Sequence, residues 1–487
     1  MLAIAVLLAG LALVADAAQP ARSAADPRGH TFYVSPSGDN RASGTSPATA
    51  WRTLGRVNRA ALAPGSRILL RGGGTLTGRL TFGSSDRGTP ANPTSVDSYG
   101  GGRATIRAPG TGVLVHDTAG IRLADLRIVG AGSGAAAGSG IAAVNDLPGD
   151  VKLPFLEVER VEVSGFAGYG VLISGRNGES GFQHVRIARV LAHDNLLGGI
   201  VVEGEVDPTA AAYAHRDVRI EACRAYGNPG VASEPQHTGD GIVLSDVERG
   251  AIEGSVAHDN GRSASGERGG PVGIWAWDAD HVVIERNVSY RNRVNGPNDG
   301  GGFDLDGGVS NSVMQHNRSH DNDGAGYLAV QFEHAPPNTS NVIRHNTSRD
   351  DARENAPGAI YLTAGVEDLD VYGNRVSVSP RPGGTVAAVA VAQLEIPGTS
   401  PVTTDVRIHD NRFRGSGGDP AVFVSGDHPG LFFDDNQYIS KGAPLRISWQ
   451  GDVYRSVAAW RAATGQESPG GPAGAGGPAW DSGSLWA

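Results

Sequence analysis

Two aspartates, Asp304 and Asp306, stand two residues apart in the stretch DGGGFDLDGG (Asp299 to Gly308), with Phe303 and Leu305 interleaved. In a β-strand successive side chains point to opposite faces, so the two carboxylates share one face and the apolar pair the other. Strand geometry sets them about 6.5 to 7 Å apart at the backbone. Carboxyl pairs that hydrolyse glycosidic bonds stand about 5 Å apart when retaining and about 6.5 to 9.5 Å when inverting, so this pair fits either. Neighbouring carboxylates also push each other's pKa apart, which supplies an acid and a base at one pH. The second chemistry open to the cluster is metal binding, with Asp299, Asp304 and Asp306 around a Ca²⁺ ion. Flanking glycines predict an outward face open to close approach.

The elements that would position these residues repeat along the chain. Short segments opening with Gly or Ala recur as GIVVE (Gly199 to Glu203), GIVLS (Gly241 to Ser245), GIWAW (Gly273 to Trp277), GFDLD (Gly302 to Asp306), GYLAV (Gly326 to Val330) and AIYLT (Ala359 to Thr363). Their second and fourth positions are apolar and read as interior (Ile200, Ile242, Ile274, Phe303, Ile360, then Val202, Leu244, Leu305, Leu362). The third and fifth positions vary and read as outside. This alignment sets Trp275 beside Asp304 and Trp277 beside Asp306, with Glu203 two coils before the tryptophans. Two outward tryptophans would form a platform for sugar rings. Three long connections, Pro229 to Asp240, Gly261 to Val272 and Arg293 to Gly301, enter these strands and would bring Asp240, Glu267, Arg268 and Asp299 to the groove. Asp240, Glu203, His320 and Arg293 complete the candidate substrate contacts.

Each segment follows a copy of a second pattern: RIARVLAHDN, RIEACRAYGN, AIEGSVAHDN, VIERNVSYRN, VMQHNRSHDN and VIRHNTSRDD, between Arg186 and Asp351. A period of roughly 30 residues marks a solenoid. Asparagine recurs at one register (Asn287, Asn317, Asn346, Asn374, Asn411, Asn436) and five residues on at another (Asn195, Asn228, Asn260, Asn292, Asn322). Stacked asparagines can hydrogen-bond from coil to coil and tolerate tight turns. Ahead of the repeats, Thr49 to Leu62 carries apolar residues near helical spacing and predicts one helix, stopped by Pro64-Gly65 and capping the first coil.

These repeats resemble the right-handed parallel β-helix of the pectate-lyase-like superfamily. The entry segments YVSPSGDNRASGTSPATAWRTL and APGSRILLRGG, with GTPANPTSVDSYGG, are similar to the N-terminal cap of secreted bacterial members. DVYRSVAAWRAATGQE (Asp452 to Glu467) looks like a closing segment. The resemblance implies an all-β, single-stranded right-handed parallel β-helix over residues 31–467, with an N-terminal capping helix. It covers lyases, hydrolases, epimerases, esterases and phage adhesins, so the fold alone does not choose an activity.

Composition narrows the choice. The chain has 487 residues, 72 of them glycine, a net charge of −10 and no basic run, which argues against nucleic acid as a partner. Met1 to Ala18 reads as a signal peptide, 19–30 as a linker and 468–487 as a Gly/Pro-rich disordered tail, predicting a secreted monomer without a membrane span after cleavage. Cys223 is the only cysteine, so no intrachain disulfide forms. The leading expectation is a glycoside hydrolase acting on a polysaccharide or oligosaccharide, with Asp304 and Asp306 catalytic and no cofactor required. One alternative is a calcium-dependent lyase cleaving a uronic acid polymer by β-elimination. Lys152 and Lys441, the only lysines, lie far from the groove in sequence, so an arginine such as Arg268, Arg291, Arg293 or Arg318 would have to be its base. The other alternative is a non-catalytic carbohydrate-binding surface protein.

Overall fold

The computed structural model describes residues 29–468, apart from 133, 135–136, 206–211, 333–334, 382–383 and 396–401, together with 482–485. The expected signal peptide and most of the expected linker lie outside the described residues. No described helix is long and apolar enough to cross a membrane. The chain divides into two compact units, residues 1–229 and 230–487.

The first unit is an all-β parallel coil. Val113–His116, Ile141–Asn145, Tyr169–Gly175 and Gly198–Glu203 pair in register on one face. Ile121–Ala124, Lys152–Glu159, Gly181–Ala188 and His215–Glu221 form a second face. Leu126–Val129, Glu162–Ser164, Leu191–His193 and Arg224–Tyr226 form a third. Inward columns such as Ile141–Val171–Ile200 and Ala143–Ile173–Val202 are fully buried. Alternating side chains thus give each coil one apolar wall.

Thr49 to Leu62 does not form one helix. Trp51 N–H donates to the Tyr33 carbonyl, which holds this part of the chain extended. Ser46 caps a 3-10 turn, Pro47–Thr49, and Thr53 caps a short α-helix, Leu54–Val57. Of the apolar positions that suggested a helix, Trp51, Leu54, Val57 and Leu62 are buried and Ala61 partly so.

The second unit repeats the parallel plan with the expected interior. Ile242, Ile274, Phe303, Tyr327 and Ile360 stack in one column, and Leu244, Ala276, Leu305, Ala329 and Leu362 in the next. Both columns are buried. The asparagines form ladders: Asn287, Asn317, Asn346, Asn374 and Asn411 each donate from backbone N and side-chain Nδ2 to the next Oδ1. Glu467 ends this ladder below Asn436, and Asp351 ends the Asn260–Asn292–Asn322 ladder. In the first unit Asn195 likewise donates to Asn228. Near the end of the chain, helix Val457–Thr464 buries Trp460 against Phe433 and Trp449. Within the expected disordered tail, Ser482–Leu485 is a short helix that packs on the Asp240–Glu253 and Val272–Glu285 strands.

Candidate active site

The candidate site lies on the second unit, where Trp275 pairs with Asp304, and Asp304 with Leu328, which in turn pairs with Tyr361. Asp306 continues the ladder by donating its N–H to the Ala276 carbonyl at 2.9 Å, which sets it alongside Trp277 as the repeat alignment required. The exposure of this row differs from the expectation. Asp304 is 2% exposed and Trp275 4% exposed, and Val243 and Leu328 are also buried. Trp275 is therefore no open platform: its indole Nε1 donates to Asp240 Oδ1 at 3.0 Å. Trp277 stays partly exposed, 6.3 Å from Trp275 and nearly parallel, with Phe332 edge-on at 5.6 Å.

The reason is that the long connections fold over the row instead of standing away from it. Arg268 N–H donates to the Pro235 carbonyl, Asn295 N–H to Ala264 and Gly300 N–H to Pro271, so the loops stack as extra rungs. Glycine serves this closeness rather than an open face. A Cβ at Gly307 would lie 2.3 Å from the Phe332 ring and 2.5 Å from Gln331 Oε1. At Gly302 a Cβ would lie 2.2 Å from Ser319 Oγ. Both glycines admit other parts of the chain to the strand.

Three further groups join the aspartates. Asp240 is buried, accepts from Val272 N–H at 3.1 Å and pairs through Oδ2 with His237 Nδ1 at 2.9 Å. His237, a third exposed, presents its ring edge to Trp275 at 5.0 Å and to Trp277 at 6.4 Å. Asp299 accepts from Gly270 N–H at 2.6 Å. His237 was not singled out by sequence, although its H-x-x-D spacing to Asp240 in HTGD was visible. Tyr361 was also missed, and it occupies the third position of AIYLT, in the column of Trp275 and Asp304.

Burial dominates the electrostatics. Asp304 is held well above the carboxylate range by loss of water, and then by the charges of Asp306 and Asp299. Burial pushes Asp306 up to about 7, against the Gly307 N–H bond and His237 and with help from Asp299. Asp299 is pushed up to about 6 by burial, opposed by the Gly270 N–H bond, with the charge of Asp240 adding to the rise. Burial also raises the Tyr361 phenol, with Asp299 contributing. The site therefore sets Asp304, whose proton is held well above the ordinary carboxylate range, beside Asp299 and Asp306, pushed up to about 6 and about 7.

Three buried polar atoms here have no hydrogen-bond partner: Ser245 Oγ, Trp277 Nε1 and Asp304 Oδ1. They fall on three consecutive strands of one face. Buried polar groups are ordinarily satisfied, so such a group marks a place that expects a ligand or water.

The remaining candidates fall elsewhere. His320 lies in the other sheet, stacked on Tyr290 at 4.8 Å and bonded to Asp321. Arg293 is a strut within its loop, bonded to Asp323 at 2.9 Å and to the Asp321 carbonyl. Glu267 and Arg268 are exposed. Glu203 belongs to the first unit, where its side chain faces Ser174 and Arg176. Asp299, Asp304 and Asp306 do not bring their oxygens within 4.8 Å of one another as a set. Among the described residues only His116, Asp117 and Asp146 of the first unit do so.

Residues 149–376 match a family model described as a right handed beta helix region. This segment is a right-handed β-helix. Among solved structures, the β-helix is similar to GH136 lacto-N-biosidase from Eubacterium ramulus, with 18% identity and a TM-score of 0.51. That match covers 85% of this chain and 68% of the other. The A-module of a mannuronan C-5 epimerase from Azotobacter vinelandii matches at 14% identity and TM-score 0.48, covering 79% and 90% of the two chains. A pectate lyase matches at 17% identity and TM-score 0.35, covering 73% and 79%. At these identities the likeness speaks for the fold. No curated protein sequence matches the chain.

Proposed function

We propose that the protein is a carbohydrate-active enzyme that hydrolyses glycosidic bonds, with Asp304 as general acid and Asp306 as general base. The observation that carries this reading is Asp304, a buried carboxyl of raised pKa with an unpartnered oxygen, beside two further carboxyls whose pKa values are raised to about 7 and about 6. A carboxyl whose pKa is held well above the ordinary range can donate a proton to a leaving oxygen, while a neighbour that titrates near 7 can take one from water. Asp304 would protonate the glycosidic oxygen as the C–O bond breaks. Asp306 would take the proton of the water that adds to the sugar carbon, with Asp299 supporting the charge. Trp277, partly exposed, offers the ring face for a sugar, and His237 and Asp240 hold Trp275 behind it.

A GH136 lacto-N-biosidase on a similar coil makes a hydrolase compatible with the scaffold. A polysaccharide and oligosaccharide panel tests the proposal through release of new reducing ends. Substrates whose turnover vanishes in Asp304→Asn while binding persists would support it.

A further inference from the structure

We propose that the second unit carries a separate cationic surface that binds an acidic polysaccharide, on the sheet of short strands away from Asp304. The inference rests on the carbohydrate-active reading above. Arg318, Thr347, Arg375 and Arg412 open the strands Arg318–His320, Thr347–Arg349, Arg375–Ser377 and Arg412–Ser416 and stack in register. Rungs of a parallel coil are about 4.8 Å apart, so Arg375 and Arg412 are neighbours and Arg318 is two rungs away. Arg414, two residues past Arg412, projects from the same face. All four arginines are exposed.

Among the described residues none of the four makes an ion pair. Elsewhere in this unit Arg291 is tied to Asp259, Arg344 to Gln315 and Arg293 to Asp323. Of the acids close to these strands in sequence, Asp410 bonds His409 and Asp350 bonds Arg349. Beside the column, the rings of His316 and His345 stack at 5.3 Å. With Thr347, Gly373 and Arg375 they line a cavity of about 280 Å³. Gly373 has φ +66°, and a Cβ there would lie 2.4 Å from His345 Nδ1, so glycine lets that ring lie across the cavity. After burial, the charges of His316 and Arg344 lower the His345 pKa, as expected where positive potential accumulates.

A stripe of unpaired guanidinium groups on a protein of net charge −10 is complementary to a polymer with regularly spaced carboxylates or sulfates. Arginine binds such groups through paired N–H donors. An acidic polysaccharide fits better than nucleic acid, because the chain carries a net charge of −10 and no basic run. The face would hold the polymer apart from the place where bonds are cut.

The test is affinity electrophoresis of the full chain in gels containing polygalacturonate, chondroitin sulfate or a neutral glucan. The variants are Arg375→Gln/Arg412→Gln and, separately, Asp304→Asn. Retention by at least one acidic polymer but not the glucan is expected, with at least tenfold weaker binding in the arginine pair, unchanged melting and wild-type retention of Asp304→Asn. Equal retention of the arginine pair, no retention by either acidic polymer, or tighter binding to duplex DNA or anionic vesicles would overturn the inference. Retention lost only in Asp304→Asn would overturn it while leaving the hydrolase reading standing. Failure of every substrate to be cleaved, with arginine-dependent retention intact, would sink the hydrolase reading alone.

Discussion

Replacing Asp306 by asparagine should stabilise the protein at pH 8 and leave it unchanged at pH 4. The folded state keeps a proton on Asp306 up to about pH 7, whereas the ordinary value is 3.8. Between those values the unfolded chain has released the proton and the folded chain has not, so stability falls as pH rises. Above about 7 the loss is complete. The gap corresponds to about 4 kcal/mol at about 1.4 kcal/mol per pH unit. Asp306 is only partly buried, so about half, near 2 kcal/mol, is the effect to expect. Asparagine is neutral at all these pH values, and its Oδ1 can still accept the Gly307 N–H bond that Asp306 accepts at 2.7 Å. The assay is thermal unfolding of wild type and Asp306→Asn at pH 4, 6 and 8. At roughly 2 to 4 °C per kcal/mol, the variant should melt about 4 to 8 °C higher at pH 8, with the gap closing by pH 4. A gap that does not change with pH, or a variant less stable at pH 8, would refute the argument that burial holds the proton on.

Asp304→Asn and Asp306→Asn should each lower kcat by roughly 10² to 10⁴, read by reducing ends, with KM little changed. The wild-type rate should rise as pH passes from about 6 to 7, where Asp299 and Asp306 ionise, and should fall again only when Asp304 loses its proton; a flat profile would contradict the assignment. Trp275→Phe removes the indole N–H from buried Asp240 and should cost roughly 1.5 to 3 kcal/mol by denaturant unfolding. Asn346→Ala leaves the buried Asn317 N–H, which donates to Asn346 at 2.8 Å, without its acceptor and should cost roughly 1 to 3 kcal/mol. No change in midpoint for that variant would mean the ladder adds little to stability.

The coil and its register were legible because apolar positions alternate strictly and asparagine marks each turn. Ile242, Ile274, Phe303 and Ile360 stack where the repeat puts them, and Trp275 faces Asp304. Exposure was not legible. An outward side chain on a strand is solvent-facing only if nothing covers it, and the connections that cover Asp304 and Trp275 have no repeat to align. The same coverage turns a solvated acid pair into carboxyls of raised pKa. Tyr361 escaped for a related reason, since it matters through Asp299 and the Asp304 row, coils away in sequence, whereas the H-x-x-D spacing of His237 to Asp240 was visible but its contact with Trp275 was not. His320 was misplaced because sequence adjacency to the Asp304 coil says nothing about which sheet a short strand joins. The helix expected over Thr49 to Leu62 forms only at Leu54–Val57, because Trp51 bridges to Val34 and bonds the Tyr33 carbonyl, a tertiary contact that overrides local spacing.

The central claim is that Asp304 delivers a proton in hydrolysis, and the most direct measurement compares wild type with Asp304→Asn on a polysaccharide panel. Product formation is read both as new reducing ends and as ultraviolet absorbance of unsaturated uronate, with and without a calcium chelator. The account predicts reducing ends without absorbance, insensitive to the chelator and lost in Asp304→Asn. Absorbance that disappears on chelation, or activity that survives Asp304→Asn, would contradict it.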